Sequence, residues 1–383
     1  ETVIAFIPNT SICPLLGLSC PVNNLIKVDL PAPFGPKTPK NSPELTSTLS
    51  GYNAIKSPYF FAMSTALTSG GLSPMILRNC SILCIIGFNH NRINHQVDCF
   101  GTHMDDPSTS VLAIEKIPLS DDSVNGYIAL ATINRPNKLN ALNTEVMDSL
   151  KRFCSWVEDN DQIRCVIITG AKPLPAEEGK RSKPNAFVAG ADISEFVGMD
   201  SKATKVKFSD NAVEALWSLT KPTIAMVDGF ALGGGCEVAC SCDIRIASQR
   251  SKFGTPEINL GLIPGYGATQ RLAKLIGYGK TLEMIMTGEM ISAKEAHKIG
   301  LVNHVCSEDE LQQFTMDLAQ KIASKSVFTL ATAKRTIKAA LNNTLDEGIA
   351  IEAEEFANLF DSKDKEEGVR AFMERDKAKW QDK

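Results

Sequence analysis

Between residues 111 and 247 the chain alternates strand-like with helix-like stretches, and from residue 264 onward only helix periodicity remains. That order constrains the fold more than any other feature. Strands that alternate with helices bury a sheet beneath them, so an α/β layer architecture is expected. Residues 111–114 and 126–133 read as strands around a turn at Asp121-Asp122-Ser123, a hairpin. Asn143 is placed to cap a helix with Val146, Leu150, Phe153 and Val157 on one face. Residues 164–170 are apolar without alternation, as in a strand covered on both sides. After an exposed loop at 171–185, Asp192-Ile193-Ser194-Glu195 reads as a capping-box start and 202–219 as one helix. Residues 222–227 and 244–247 are further strands, separated by an Asp228-Gly229 turn and a short apolar helix after Gly233-Gly234-Gly235. Helices are then expected at about 269–276, 279–287, 292–299, 308–323, 327–341, 345–361 and 364–379, with no strand among them.

Composition divides the chain elsewhere. Residues 1–103 hold ten of the 84 charged side chains but ten of the 19 prolines, and show no sustained period. Arg78 and Arg92 are too few for a mitochondrial transit peptide. The best apolar run, 80–88, is far short of the roughly 20 residues a membrane span needs. With Glu1 at the start and Met104 opening the ordinary globular part, 1–103 is expected to be upstream translation rather than a native accessory region, and poorly ordered either way. The rest divides into an expected core at 104–290 and a helical region at 291–383. A net charge of −4 without long runs of one sign gives no pull toward nucleic acid or membrane. Cys154, Cys165, Cys236, Cys240, Cys242 and Cys306 are scattered through helix and strand patterns, which points to a reducing compartment. Cys236, Cys240 and Cys242 lack the spacing of a zinc motif and read as small buried hydrophobes, so no metal is expected.

Chemistry concentrates on two glutamates. Glu237 lies in an apolar helical run just after the triple glycine, where an unpaired carboxylate is costly to bury. Glu257, in Gly254-Thr255-Pro256-Glu257, is also in apolar company. Two partly desolvated carboxylates near one another have raised, coupled pKa values suited to proton exchange near neutrality, although most glutamates are simply solvated or salt-bridged. Gly234 at a helix start and Ala191 in Ala189-Gly190-Ala191-Asp192 offer backbone N–H groups for an oxyanion, or else tight turns needed only for packing.

Four stretches in order carry a resemblance: Asn134-Arg135-Pro136-Asn137-Lys138-Leu139-Asn140-Ala141-Leu142, Phe187-Val188-Ala189-Gly190-Ala191-Asp192-Ile193, Ala231-Leu232-Gly233-Gly234-Gly235-Cys236-Glu237, and the thirteen residues from Phe253 to Gly265. They resemble the crotonase, or enoyl-CoA hydratase/isomerase, superfamily over about residues 110–383. The resemblance implies a spiral of ββα units with a C-terminal helical region that assembles trimers or dimers of trimers. It implies that Ala191 and Gly234 form an oxyanion hole, that Glu237 activates water and that Glu257 exchanges the proton at the α-carbon. Lys138, Leu139, Ala189, Ala191, Asp192, Ile193, Gly234 and Gly265 would line the coenzyme A site. The implied reaction is reversible hydration of a trans-2-enoyl-CoA to a 3-hydroxyacyl-CoA, with no cofactor beyond the thioester substrate.

Three departures from the family pattern stand out: a longer, basic link around residues 172–185, Tyr266 beside Gly265, and Ala268 in place of a frequent glycine. Either of the last two would reshape the acyl pocket. Rival readings are another acyl-CoA reaction on the same scaffold (isomerisation, cyclisation, dehalogenation or thioester hydrolysis) and RNA binding through Lys202, Lys205 and Lys207, which a solvated helix face explains better. A cytoplasmic location is expected, since no targeting signal is recognisable.

Overall fold

The structure is a computed structural model that describes residues 3–4, 27–28, 107–121, 124–176, 179 and 181–383. The expectations for 1–103 fall almost wholly outside the described residues. The chain divides into two units, Glu1–Val97 and Asp98–Lys383. In the first, β1 (Val3–Ile4) pairs antiparallel with β2 (Lys27–Val28).

In the second unit β3 (Leu112–Pro118) and β4 (Tyr127–Ile133) form the expected antiparallel hairpin. β4 continues in parallel to β5 (Ile163–Gly170), β7 (Thr223–Val227), β9 (Ile244–Ser248) and β12 (His304–Cys306), which completes a six-stranded sheet. A second sheet has the order β11 (Ile291–Ser292), β10 (Lys252–Gly254), β8 (Phe230–Leu232), β6 (Ala186–Val188). Side chains along a strand alternate between faces. Val166 and Ile168 of β5 therefore enter one core with Phe153, Phe187 and Phe253, while Cys165 and Ile167 enter a second beneath the helix Leu311–Ala323; Ile163, before the register shift against β4, joins the first. Both faces are covered, which is why β5 is mostly apolar; its buried Arg164 is satisfied by the Ala323 and Lys325 carbonyls and by Asp382. Each fully buried isoleucine there contributes about 1.5–3 kcal/mol.

The helix α1 (Thr144–Glu158) starts where expected, with Asn143 Oδ1 accepting the Val146 N–H at 3.1 Å. Val146, Leu150, Phe153 and Val157 are all buried. The single helix read over 202–219 is two: α2 (Ser201–Ser209) and α3 (Ala212–Ser218). Asn211 Oδ1 accepts the Val213 and Glu214 N–H groups, both at 3.0 Å, so a side-chain cap replaces helix continuation. α2 has no buried residue, whereas α3 buries Ala212, Val213 and Leu216.

The capping box at Asp192 does not form either. Ile193–Phe196 is a single 3-10 turn without a side-chain cap; Asp192 binds Arg135 and Ser194, and Glu195 binds Thr144. β11 and β12 correct the reading of residues beyond 264 as helical throughout. They and β8 and β10 are two or three residues long, too short for a period of two to register in sequence. After α4 (Gly234–Ser241) come α5 (Ala268–Ile276), α6 (Tyr278–Thr287), α7 (Ala293–Lys298), α8 (Leu311–Ala323), α9 (Val327–Ala339), α10 (Leu345–Leu359) and α11 (Lys363–Glu374). α10 carries no buried residue, and Leu345, Ile349 and Phe356 on it are exposed. Among the described residues no helix is long and apolar enough to cross a membrane.

Candidate active site

The two sheets converge on the start of α4. β8 runs parallel to β10 with Leu232 opposite Gly254, and the Gly233 N–H donates to the Gly254 carbonyl at 2.9 Å. Gly233 then turns the chain with φ 49° and ψ −121°, a conformation only glycine adopts readily. A Cβ there would also lie 2.7 Å from Glu257 Oε1, so the position needs glycine twice over. The next residue, Gly234, opens α4 with an N–H that has no partner within the helix. A Cβ built on Gly234 would sit 3.7 Å from the Ala191 nitrogen. Among the described residues neither N–H has a backbone acceptor, so two donors stand side by side at the positive end of a helix.

Glu237 lies one turn further, on the same face as Gly234. It is 1 % exposed, and its Oε1 accepts the Tyr266 N–H at 2.7 Å and the Ala268 N–H at 3.0 Å. Burial, above all, pushes its carboxyl up to about 7; the charge of Glu257 adds to the rise, while the two N–H donors and the Arg271 guanidinium oppose it. Glu257 sits on the 3-10 turn Pro256–Leu260. Burial raises its carboxyl above the usual glutamate value, opposed only by its own backbone N–H. Its Oε2 is buried and has no hydrogen-bond partner among the described residues. One carboxylate is thus held by two N–H donors from another segment, and the other has only its own backbone N–H and an orphaned oxygen.

Both line a cavity of about 730 Å³. Of the residues anticipated from sequence, Ala189, Ala191, Ile193, Gly234, Glu237, Glu257 and Gly265 line it too. Lys138, Leu139 and Asp192 do not. Lys138 is exposed at the end of a 3-10 turn, Leu139 meets the site through its carbonyl, which accepts the Ala189 N–H at 3.1 Å, and Asp192 pairs with Arg135. Sequence reading missed the far wall. Phe208 of α2 stacks on Tyr266 with ring centroids 4.5 Å apart and planes 14° apart, and Phe196 meets Phe208 edge-on at 6.2 Å. A Cβ on Gly265 would come within 2.8 Å of the Phe208 ring, so this glycine lets the wall close. Phe208 was hidden because it follows Lys205 and Lys207 in a helix that reads as solvated. Lys207 is paired with Glu195.

A family model described as enoyl-CoA hydratase/isomerase matches residues 123–383. The chain is 41% identical over 254 residues to the short-chain-enoyl-CoA hydratase of Clostridium acetobutylicum, a match covering 66% of this chain and 93% of that protein. It is 36% identical over 269 residues to the crotonyl-CoA hydratase of Syntrophomonas wolfei, covering 70% and 98%. The crystal structure of an enoyl-CoA hydratase from Bacillus anthracis aligns with a TM-score of 0.63 at 31% identity, over 71% of this chain and all of that one. These likenesses bear out the crotonase-type α/β fold with its C-terminal helical region.

Proposed function

The chain belongs to the enoyl-CoA hydratase/isomerase family, and we propose that it adds water reversibly to trans-2-enoyl-CoA thioesters to give 3-hydroxyacyl-CoA. The observation that carries this reading is the unequal pair Glu237 and Glu257 in one cavity beside two neighbouring N–H groups. The thioester oxygen lies against the N–H groups of Ala191 and Gly234. Ionised Glu237 takes a proton from water as the water oxygen adds to C3. The C2–C3 π electrons move to the carbonyl oxygen, whose enolate charge the two donors hold, each worth about 2.7–4 kcal/mol by comparison with other oxyanion holes. Protonated Glu257 then gives its proton to C2 and the thioester carbonyl re-forms. Glu237 has gained the proton that Glu257 lost, and its return through water resets the pair.

The assignment of base and acid follows the surroundings. Two N–H donors support Glu237 as an anion against the burial that raises its carboxyl to about 7, whereas Glu257, also raised by burial, has an orphaned buried oxygen free to carry a proton. Moving a double bond needs a single carboxylate, so the elaborate seat of Glu237 supports hydration over simple isomerisation. No step requires a metal or redox cofactor. RNA binding has little support, because one of its three lysines is engaged by Glu195.

Trimers or dimers of trimers are part of the same proposal, supported by the exposed Leu345, Ile349 and Phe356 of α10 and Phe372 of α11. Lys138, Leu139 and the backbone of Asp192 remain proposed only for the rim of the coenzyme A site, the Asp192 carboxylate being taken up by Arg135 and Ser194. A reducing, cytoplasmic setting accords with the six cysteines among the described residues, all free and buried. The test is loss of the conjugated-thioester absorbance of crotonyl-CoA by the full chain and by Glu237→Gln and Glu257→Gln. Rapid loss, cut by about 10²–10⁴ in either variant, is the expected result. A folded chain that binds coenzyme A without turning crotonyl-CoA over would redirect the proposal to another acyl-CoA reaction.

A further inference from the structure

We infer that Arg135 and Asp192, both outside the cavity, are positioning residues that aim the Ala191 N–H at the thioester oxygen; the inference rests on the hydratase reading above. Ala191 makes an isolated parallel bridge with Leu142. The Leu142 N–H donates to the Gly190 carbonyl at 2.9 Å, and the Asp192 N–H donates to the Leu142 carbonyl at 2.7 Å. Along an extended strand, backbone groups on successive residues point to opposite sides. Tying Gly190 and Asp192 to Leu142 therefore turns the Ala191 N–H the other way, toward Gly234.

Arg135 clamps both flanks of this bridge. Its Nη1 donates to the Ala141 carbonyl at 2.6 Å and its Nη2 to Asp192 Oδ2 at 3.0 Å, while Ser194 Oγ donates to Asp192 Oδ1 at 2.7 Å. The two charged side chains are only 16% and 15% exposed, so water has little access to replace the contact. The Ser194 hydroxyl first, and Arg135 next, hold the Asp192 carboxyl below its usual value. Gly190, at φ +118°, adds no stiffness of its own. The direction of the donor N–H thus depends on the bridge and on the ion pair that brackets it. A misaimed donor loses more in the enolate-like transition state than in the bound substrate, so the loss falls on kcat rather than KM.

The experiment is steady-state hydration of crotonyl-CoA by the full chain with Arg135→Lys, Asp192→Asn and the double variant, alongside the absorption shift of bound cinnamoyl-CoA. We expect kcat to fall roughly 10- to 100-fold in each variant, as for a donor displaced by about 1 Å, with KM within about threefold. The double variant should be no slower than the slower single one, and the red shift that reports carbonyl polarisation should shrink. Should Asp192→Asn fail to fold, Ser194→Ala carries the same test with a smaller loss of kcat. Unchanged kcat and red shift would overturn the inference, as would a rise in KM with falling thermal stability and an intact red shift, which marks a merely structural staple. If the unaltered chain does not hydrate crotonyl-CoA, the hydratase reading has failed instead; the cinnamoyl-CoA shift still reports on the clamp.

Discussion

The segments that carry Glu237 and Glu257 hold the same side chain in opposite ways. Glu237 is fixed in an eight-residue helix, almost fully buried, with two backbone donors on one oxygen. Glu257 hangs from a five-residue 3-10 turn with one buried oxygen unpaired. Burial raises both carboxyls; two N–H groups from another segment oppose the rise at Glu237, and only its own backbone N–H opposes it at Glu257. The difference teaches that acid and base roles come from what surrounds a carboxylate rather than from its identity. A helix with satisfied donors makes a base; a short turn that abandons an oxygen makes an acid.

The sharpest way to break that comparison is isotope exchange. Moving a proton on and off C2 requires Glu257 and the oxyanion donors but not activation of water. In D₂O, Glu257→Gln should lower exchange of the C2 protons of butyryl-CoA by about 10³, whereas Glu237→Gln should largely keep it. Mass spectrometry of the recovered thioester reads the result, and equal losses would erase the distinction.

Next comes pH. The Glu237 carboxyl titrates near 7 when folded and near 4.5 when unfolded. Between those values the folded chain holds a proton that the unfolded chain has released, so stability falls as pH rises from about 4.5 to 7 and levels off above. Roughly 3 kcal/mol is the scale of that loss. Denaturant unfolding across this range should show the decline, and Glu237→Gln should remove most of it, leaving only the part that the raised Glu257 carboxyl adds. In the same window kcat/KM should climb with pH as Glu237 ionises.

The smallest effect belongs to Gly233→Ala. Its positive φ and the 2.7 Å approach of a new Cβ to Glu257 Oε1 predict about 1–3 kcal/mol of destabilisation. Hydration should slow as well, because the side chain that gives way is the acid. Thermal melts with parallel kcat measurements would test both, and a variant with unchanged turnover would show that Glu257 is less tightly placed than the geometry indicates.

Legibility in the sequence followed the length and regularity of each element. β5 and α1 span eight and fifteen residues, and their apolar patterns and the Asn143 cap were readable directly. The second sheet, made of two- and three-residue strands, was not, since such strands exist only because a neighbour supplies their hydrogen bonds. Asp192 was misread for a similar reason. Its capping spacing is real, but Arg135, 57 positions away, competes for the carboxylate and wins.

By itself the sequence determined the α/β order, the glycines where no side chain fits, and the two glutamates, because these are set by local periodicity, backbone freedom and chemical type. Only the tertiary structure decided that Ala191 and Gly234 stand side by side, that Glu237 receives two donors from another segment while Glu257 receives none beyond its own backbone N–H, and that Phe208 closes the wall against Tyr266. Those outcomes depend on contacts between residues tens of positions apart, and no local pattern encodes which distant groups will compete for the same space or the same proton.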